Sequence, residues 1–390
     1  MLAGEALALT ADPLVAARQV VGGARRPLGD RTPSLGVLFA SPHFFNTAET
    51  LLSAVMEELG PIALVGCVAE SVIAGSREIE AEPAVALWLA ADLGQVETFA
   101  MEFVGTPAGG AYGGYQFGQQ LGGAYLLICD PFTFPVQDLL THLNADAAGT
   151  VIIGGLASGG MHARQNRLFL DGKVLHSGAV GVHLAETEIH AVVSQGCRPI
   201  GSPLTITAAE GNVIRELGGR PPLSRLQDLA RTLSIRDQQL LAHGLQIGKV
   251  INEYQADWRQ GEFLIRGIVG VEPKSGALAI GDQVAVGQTV QFHVRDADSA
   301  DQDLRSALES ARAVIGHRRV AGALLFTCNG RGSRLFPAPD HDARLLQEVL
   351  GTTAMVGFFC AGELGPVGGQ NFLHGFSASI ALFPEAPSAA

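Results

Sequence analysis

Lysine is scarce in this chain: Lys173, Lys249 and Lys274 are the only three in 390 residues. Basic runs go no further than Arg25-Arg26 and Arg318-Arg319, and the formal net charge is −12. Binding a nucleic-acid backbone by counterion release needs a basic stripe, so neither nucleic acid nor an anionic membrane surface is an expected partner. The five cysteines form no CxxC pair, which argues against a disulfide framework and a structural zinc site and leaves reduced thiols as the expectation. A Walker loop and a GxGxxG after a strand are both missing, which removes the usual nucleotide sites. HExxH is missing too. The triplet Asp340, His341, Asp342 cannot turn three adjacent residues toward one ion, so neither a metal nor a cofactor is expected. The opening MLAGEALALTADPL carries Glu5 and Asp12 and has no basic start, which argues against a secretory signal and for the cytoplasm. The longest charge-free stretch, Phe103 to Cys129, is broken by glycines and glutamines and is expected to be a loop, not a span of a bilayer.

What is present is apolar and patterned. Apolar residues make up 47% and charged residues 16%, enough core for a chain that exceeds the usual single domain. LGVLFAS (35–41), GAYLLICD (123–130) and GALLFTCN (322–329) are similar apolar β-type runs ending in a small or polar residue. Helical stretches follow at 47–59, 136–143 and 342–350, then apolar runs ending in glycine at Gly66, Gly154 and Gly357. LIRG, ending at Gly267, is a fourth and less apolar version. Further strands at 84–89, 178–184, 289–294 and 375–383 close the units. The expected fold class is therefore α/β, with α+β as the alternative. It consists of two halves, each built from two related strand-helix-strand-loop-strand units in pseudo-symmetric packing. The four glycines should then occupy equivalent places at strand ends, where α/β folds put their sites.

The motifs as a set resemble the FIST family. They are SQGCRPIG with TITAAEGNVIRELGGRPPL (194–222), VIIGGLASGG followed by RLFLDGKVLHSGAVGVHL (151–184), TCNGRG (327–332) and GFFCAGELGP (357–366). The resemblance implies an N-terminal lead-in over 1–33, a FIST N-terminal domain over 34–222, a C-terminal domain over 223–383 and a flexible tail over 384–390. Such domains occur in tandem in bacterial signal-transduction proteins and in some F-box proteins, and are regarded as sensory modules for small ligands such as amino acids. No kinase, receiver or F-box segment accompanies them in this sequence, so the output of a sensor would lie in a signalling protein partner.

The residues that would carry such binding cluster in two loops. Cys328, Asn329, Gly330, Arg331 and Gly332 combine close backbone approach with a guanidinium that matches a carboxylate. Phe358, Phe359, Cys360, Gly362 and Glu363 offer apolar walls and an acceptor for an amine. Together they suggest a receptor for an amino acid or related carboxylate, unless Arg331 and Glu363 simply pair with each other. Arg198, beside Cys197, is a second candidate for an anion, and His43 a lesser pocket residue. As a loop residue Arg331 should be dispensable for packing, whereas Gly357 should not. Two other functions compete: an enzyme with Cys360 or Cys328 as nucleophile and His374 as base, or a scaffold for protein partners.

Overall fold

The computed structural model describes residues 1–106, 109–118, 122–255, 258, 261–351 and 353–386. In chain order, β1 (Leu2–Ala8) and α1 (Pro13–Arg25) come first. Next are β2 (Leu35–Ala40), α2 (Ala48–Leu59), β3 (Ala63–Val68), the hairpin β4 (Val72–Ala74) and β5 (Arg77–Ile79), and β6 (Val85–Ala91). After β7 (Val96–Thr106) and β8 (Gly109–Gly113) the chain runs through β9 (Ala124–Cys129), α3 (Val136–Asp146) and β10 (Val151–Leu156). The hairpin β11 (Leu168–Leu170) and β12 (Lys173–Leu175) then leads to β13 (Ala179–Leu184). The middle of the chain forms β14 (His190–Ser194), β15 (Cys197–Glu210), β16 (Val213–Leu217), α4 (Pro222–Ala230), α5 (Ile235–Gly244), β17 (Leu245–Val250), β18 (Phe263–Val271), β19 (Leu278–Ile280) and β20 (Thr289–Arg295). Last come α6 (Ala297–Ile315), β21 (Val320–Cys328), α7 (His341–Leu350), β22 (Ala354–Cys360), the hairpin β23 (Glu363–Val367) and β24 (Gln370–His374), and β25 (Ala378–Pro384). The class is α/β, as expected.

One arrangement occurs three times. β2 and β3, β9 and β10, and β21 and β22 are parallel pairs, and β6, β13 and β25 lie antiparallel on the first strand of each. All nine strands except the ends of three are buried throughout, which suits the unbroken apolar runs of their sequences. The hairpin that follows each pair joins a different sheet. β4 and β5 add to β22, β11 and β12 add to β3, and β23 and β24 add to β10. The three sheets are thereby tied in a ring.

Gly66, Gly154 and Gly357 sit opposite Leu38, Leu127 and Leu325 in the three parallel registers. A Cβ at each would lie 1.8, 2.0 and 1.9 Å from the carbonyl oxygen of that leucine, so any side chain would force the parallel strands apart. Gly267 corrects the expectation of a fourth equivalent. It lies on β18 opposite Gln246, where an added Cβ would find nothing nearer than 3.6 Å. The stretch that was expected to hold the fourth unit instead builds a closed barrel, β15-β16-β19-β18-β17-β20, filled by Ile206, Ile214, Ile247, Phe292 and their neighbours.

Compactness divides the chain into two units, and each is described by itself. One comprises Met1–Val193, Arg305–Leu373 and the chain from Ser377; the other comprises Ser194–Leu304 and His374–Phe376. The first has an aromatic core in which Phe39 meets Phe358 at 4.8 Å and Phe326 at 6.4 Å, and Trp88 meets Phe383 at 5.2 Å. Residues 1–33 take part in it: β1 pairs with β6, and α1 starts at Pro13 under an Asp12 carboxylate that accepts the Leu14 and Val15 N–H groups. Of the tail, Pro384 ends β25 and residues 387–390 lie outside the described residues. The loop expected from Phe103 to Cys129 is in its described part mostly strand, since it contains the end of β7, all of β8 and all of β9. Among the described residues no helix is long and apolar enough to cross a membrane.

Candidate functional site

The fold brings the two glycine-rich motifs together. Cys328 and Cys360 are in register at the carboxyl ends of β21 and β22, and the Asn329 N–H donates to the Cys360 carbonyl at 2.9 Å. Gly332 has φ +56°, and a Cβ there would lie 2.6 Å from Glu80 Oε1 and 2.7 Å from the Phe359 ring. Only glycine fits that contact. Loop 328–332 therefore lies directly against the Phe359 side of the second motif, with the hairpin β4–β5 alongside.

Arg331 is not presented to solvent. It is fully buried, and its Nε and Nη2 donate to the two oxygens of Asp342 at 2.6 and 2.8 Å. Asp342 also accepts the Thr327 hydroxyl at 2.8 Å and lies 2.9 Å from His341 Nδ1, while the His341 ring stacks on Phe336 at 3.4 Å. The guanidinium is thus already occupied by a carboxylate of this chain. The expectation of a packing-neutral Arg331 is corrected, because a loop position close in sequence to a helix start has been folded inward onto that helix. Burial alone would raise the Asp342 carboxyl, but the Arg331 charge and its two hydrogen bonds outweigh burial and hold it well below the usual carboxylate range.

Glu78, on β5, completes this cluster from a distant part of the chain. Its Oε1 accepts the Ala343 N–H at 2.9 Å, capping the first turn of α7, while the Glu78 N–H donates to Asp340 at 2.8 Å. Asp340 reaches that donor from a left-handed backbone at φ +63°. Burial first, and then the charge of Asp342, push the Glu78 carboxyl up to about 8. Two carboxylates of one cluster are therefore driven in opposite directions, the one next to the guanidinium down and the other up. Glu78 Oε2 and Arg331 Nη1 have no hydrogen-bond partner among the described residues.

The other expected residues fall in several places. Glu363 is fully buried, and its Oε2 accepts the Ser377 hydroxyl at 2.6 Å and the Ser377 N–H at 3.2 Å. Phe358 is core, packed between Phe39 and Phe326. Gly362 gives its carbonyl to the Leu156 N–H at 2.8 Å. Asn329 and Gly330 are half-buried, and Arg334 next to them is exposed, bonding the Asn329 carbonyl at 2.6 Å and pairing with Glu70. All five cysteines are free and buried. Burial, aided by the Glu363 charge, pushes the Cys360 thiol well above its ordinary value, opposite to what a nucleophile needs. His43 is exposed on a turn after β2, 3.2 Å from the Ser41 hydroxyl. Arg198 belongs to the barrel unit, where it pairs with Asp237 and with Asp296 at 3.2 Å; His374 is grouped with that unit too. Among the described residues no group of three or more His, Cys, Asp or Glu is placed to hold a metal.

The sequence reading missed an open cavity of about 640 Å³ in the second sheet. Tyr112, Tyr115, Phe117 and Tyr125 line it, with the end of α3 (Leu143, Asp146) opposite. Tyr125 is a buried floor stacked on His183 at 4.2 Å, and Tyr115 is backed by Phe99 at 3.9 Å. The Tyr112 hydroxyl is anchored on the Pro135 carbonyl at 2.7 Å, and burial pushes it up to about 12. Burial likewise raises Tyr115, whose hydroxyl lies 3.3 Å from Glu97. A signal was available: three of the four tyrosines in the chain, Tyr112, Tyr115 and Tyr125, fall within fourteen residues.

Comparison with known proteins gives a family without an activity. The FIST N domain model matches residues 34–220 and the FIST C domain model matches residues 225–366. Uncharacterized proteins of Mycobacterium bovis and Mycobacterium tuberculosis are 49% identical over 385 residues, covering 99% of this chain and 99 to 100% of theirs.

Proposed function

Because this chain belongs to the FIST family, whose domains are associated with sensing in signal transduction, we propose that it is a small-molecule-binding sensory protein whose ligand occupies the tyrosine-lined cavity. The cavity itself carries the reading. Its volume of about 640 Å³ lies in the range of small-molecule sites, about 300 to 1,000 Å³, and it combines apolar walls with a few polar groups. A cytoplasmic location and a signalling protein partner belong to the same proposal, supported by five free, buried cysteines and by the association of FIST domains with signal transduction. We also read the three sheets of the larger unit as versions of one repeated segment, supported by the equal registers at Gly66, Gly154 and Gly357.

A second reading keeps the ligand, an amino acid or a related carboxylate, at the strand-end segments 328–332 and 358–363, where the structure has Cys328 on β21, residues 358–360 on β22 and Glu363 on β23 in place of the expected loops. The contact between the two segments favours it. In that reading Arg331 and Asp342 hold the loop, and ligand contacts fall to Asn329, Gly330 and Arg334. A thermal-shift screen of amino acids, organic acids, amines and neutral metabolites tests both. Ligand binding adds stability by mass action, so a ligand raises the melting temperature with concentration. A shift lost in Ala147→Trp, which fills the cavity wall, supports the first reading. A shift kept there but lost in Asn329→Ala supports the second, and a flat screen removes both.

A further inference from the structure

Resting on the cavity reading above, we infer that the ligand class of the tyrosine-lined cavity is an organic ammonium cation. Its walls are aromatic on one side: Tyr112, Tyr115 and Phe117 are half-buried, and Tyr125 forms the floor. Neutral phenol and phenyl rings present negative faces, which attract a cation that has shed part of its water. Phe99 stacks on one face of Tyr115, and Phe117 at 5.3 Å and Tyr125 at 6.1 Å meet it edge-to-face, so the cavity is lined by one cluster of rings and takes the surface they leave.

The opposite wall is negative. The last turn of α3 lines the cavity with Leu143, Asp146 and the capping residue Ala147, and that turn carries no basic residue. A helix terminates there in carbonyl oxygens and a partial negative charge, and the Asp146 carboxylate adds a full one. Among the described residues that line the cavity there is no lysine or arginine. A carboxylate ligand would meet no positive side chain and one negative one. An ammonium group would meet rings, helix carbonyls and a carboxylate, and the chain's net charge of −12 would draw it in. These features come from separate stretches, 112–118 with 122–125 on one side and 143–150 on the other, and point to the same sign.

Calorimetric titration of the full chain with choline, its uncharged carbon isostere 3,3-dimethylbutan-1-ol, and acetate tests the inference. Choline should bind at least about tenfold more tightly than the isostere, and acetate should not bind. Asp146→Asn, at an exposed position, should weaken choline roughly fivefold and leave the isostere unchanged, with the melting temperature held. Tyr115→Leu should weaken choline by about tenfold, and Tyr115→Phe should restore it, because the ring face and not the hydroxyl makes the contact. Equal or tighter binding of the isostere, binding of acetate, or no heat with choline each overturns the inference. If the metabolite screen then yields an uncharged or anionic ligand whose shift is lost in Ala147→Trp, the cavity stands as the sensory site and only the ligand class falls.

Discussion

The strand-end segments 328–332 and 358–363 and the cavity around Tyr115 are opposites in how their polar and aromatic groups are used. In the first two the charged groups are held within the chain: Asp342 takes Nε and Nη2 of Arg331, leaving only Nη1 without a hydrogen-bond partner among the described residues, Ser377 holds Glu363 Oε2, and both phenylalanines are buried. At the cavity the half-buried Tyr112 and Tyr115 line a space, with their hydroxyls bonded to the Pro135 carbonyl and to Glu97. A residue type that suits a ligand therefore marks a site only when the fold has not already supplied its partner. In this chain the strand ends are where such groups are taken up, some by neighbours eleven to fourteen residues away, as Arg331 by Asp342 and Glu363 by Ser377, and some by distant segments, as Glu78 by α7 and Arg334 by Glu70.

The sharpest break of that comparison is at the glycine that sets the strand spacing. Gly357→Val should cost at least about 3 kcal/mol and leave little soluble protein, because its Cβ would meet the Leu325 carbonyl at 1.9 Å. Gly267→Ala on the barrel should change the urea midpoint far less, within about 1 kcal/mol. Comparable losses in the two would remove the distinction between the sheet strands and the barrel strand.

Arg331→Ala comes next. It strands Asp342 in the interior and should cost about 3 to 5 kcal/mol in urea unfolding. Arg331→Lys should recover only part of that, since an ammonium cannot make the paired Nε and Nη2 bonds. A near-neutral Arg331→Ala would mean that the buried pair contributes nothing to the fold.

The two carboxylates beside it give a pH test. Glu78, raised to about 8 by burial from an ordinary 4.5, keeps its proton in the fold after the unfolded chain has lost its own. Stability should therefore fall as pH rises from about 4.5 to about 8, with a slope of up to about 1.4 kcal/mol per pH unit. Asp342, held low by Arg331, gives the reverse: its contribution is present above the ordinary carboxylate range and is lost as pH falls below it. Glu78→Gln should flatten the upper decline and leave the acid limb in place. Urea midpoints taken across both limbs decide this, and a decline that persists in Glu78→Gln assigns it to another group.

The smallest effect on the fold should be at the cavity. Ala147→Trp, at a half-buried position after α3, should change stability by about 1 kcal/mol or less while removing the ligand-induced thermal shift. If it unfolds the chain, the cavity wall is part of the packing and not a chamber.

The sequence by itself determined the local structure. Unbroken apolar runs bounded by glycine marked β2, β9, β21 and their parallel partners, and helical spacing marked α2, α3 and α7, because burial on both faces and a 3.6-residue period leave those patterns in any context. It also determined which glycines matter at Gly66, Gly154 and Gly357, and it singled out 328–332 and 358–363 as neighbours at strand ends. Tertiary structure alone decided what those neighbours do. LIRG has the same ending as the other runs, yet Gly267 became a barrel strand, since hydrophobic period does not distinguish a parallel sheet strand from a barrel strand. No spacing in the sequence could show that Asp342 would claim Arg331 or that Glu78 would reach α7 across 265 residues. Nor could it show that Tyr112, Tyr115 and Tyr125 would line a space instead of filling one. A charge or a ring becomes a binding group according to which partner reaches it first, and that is settled by the packing of segments distant along the chain.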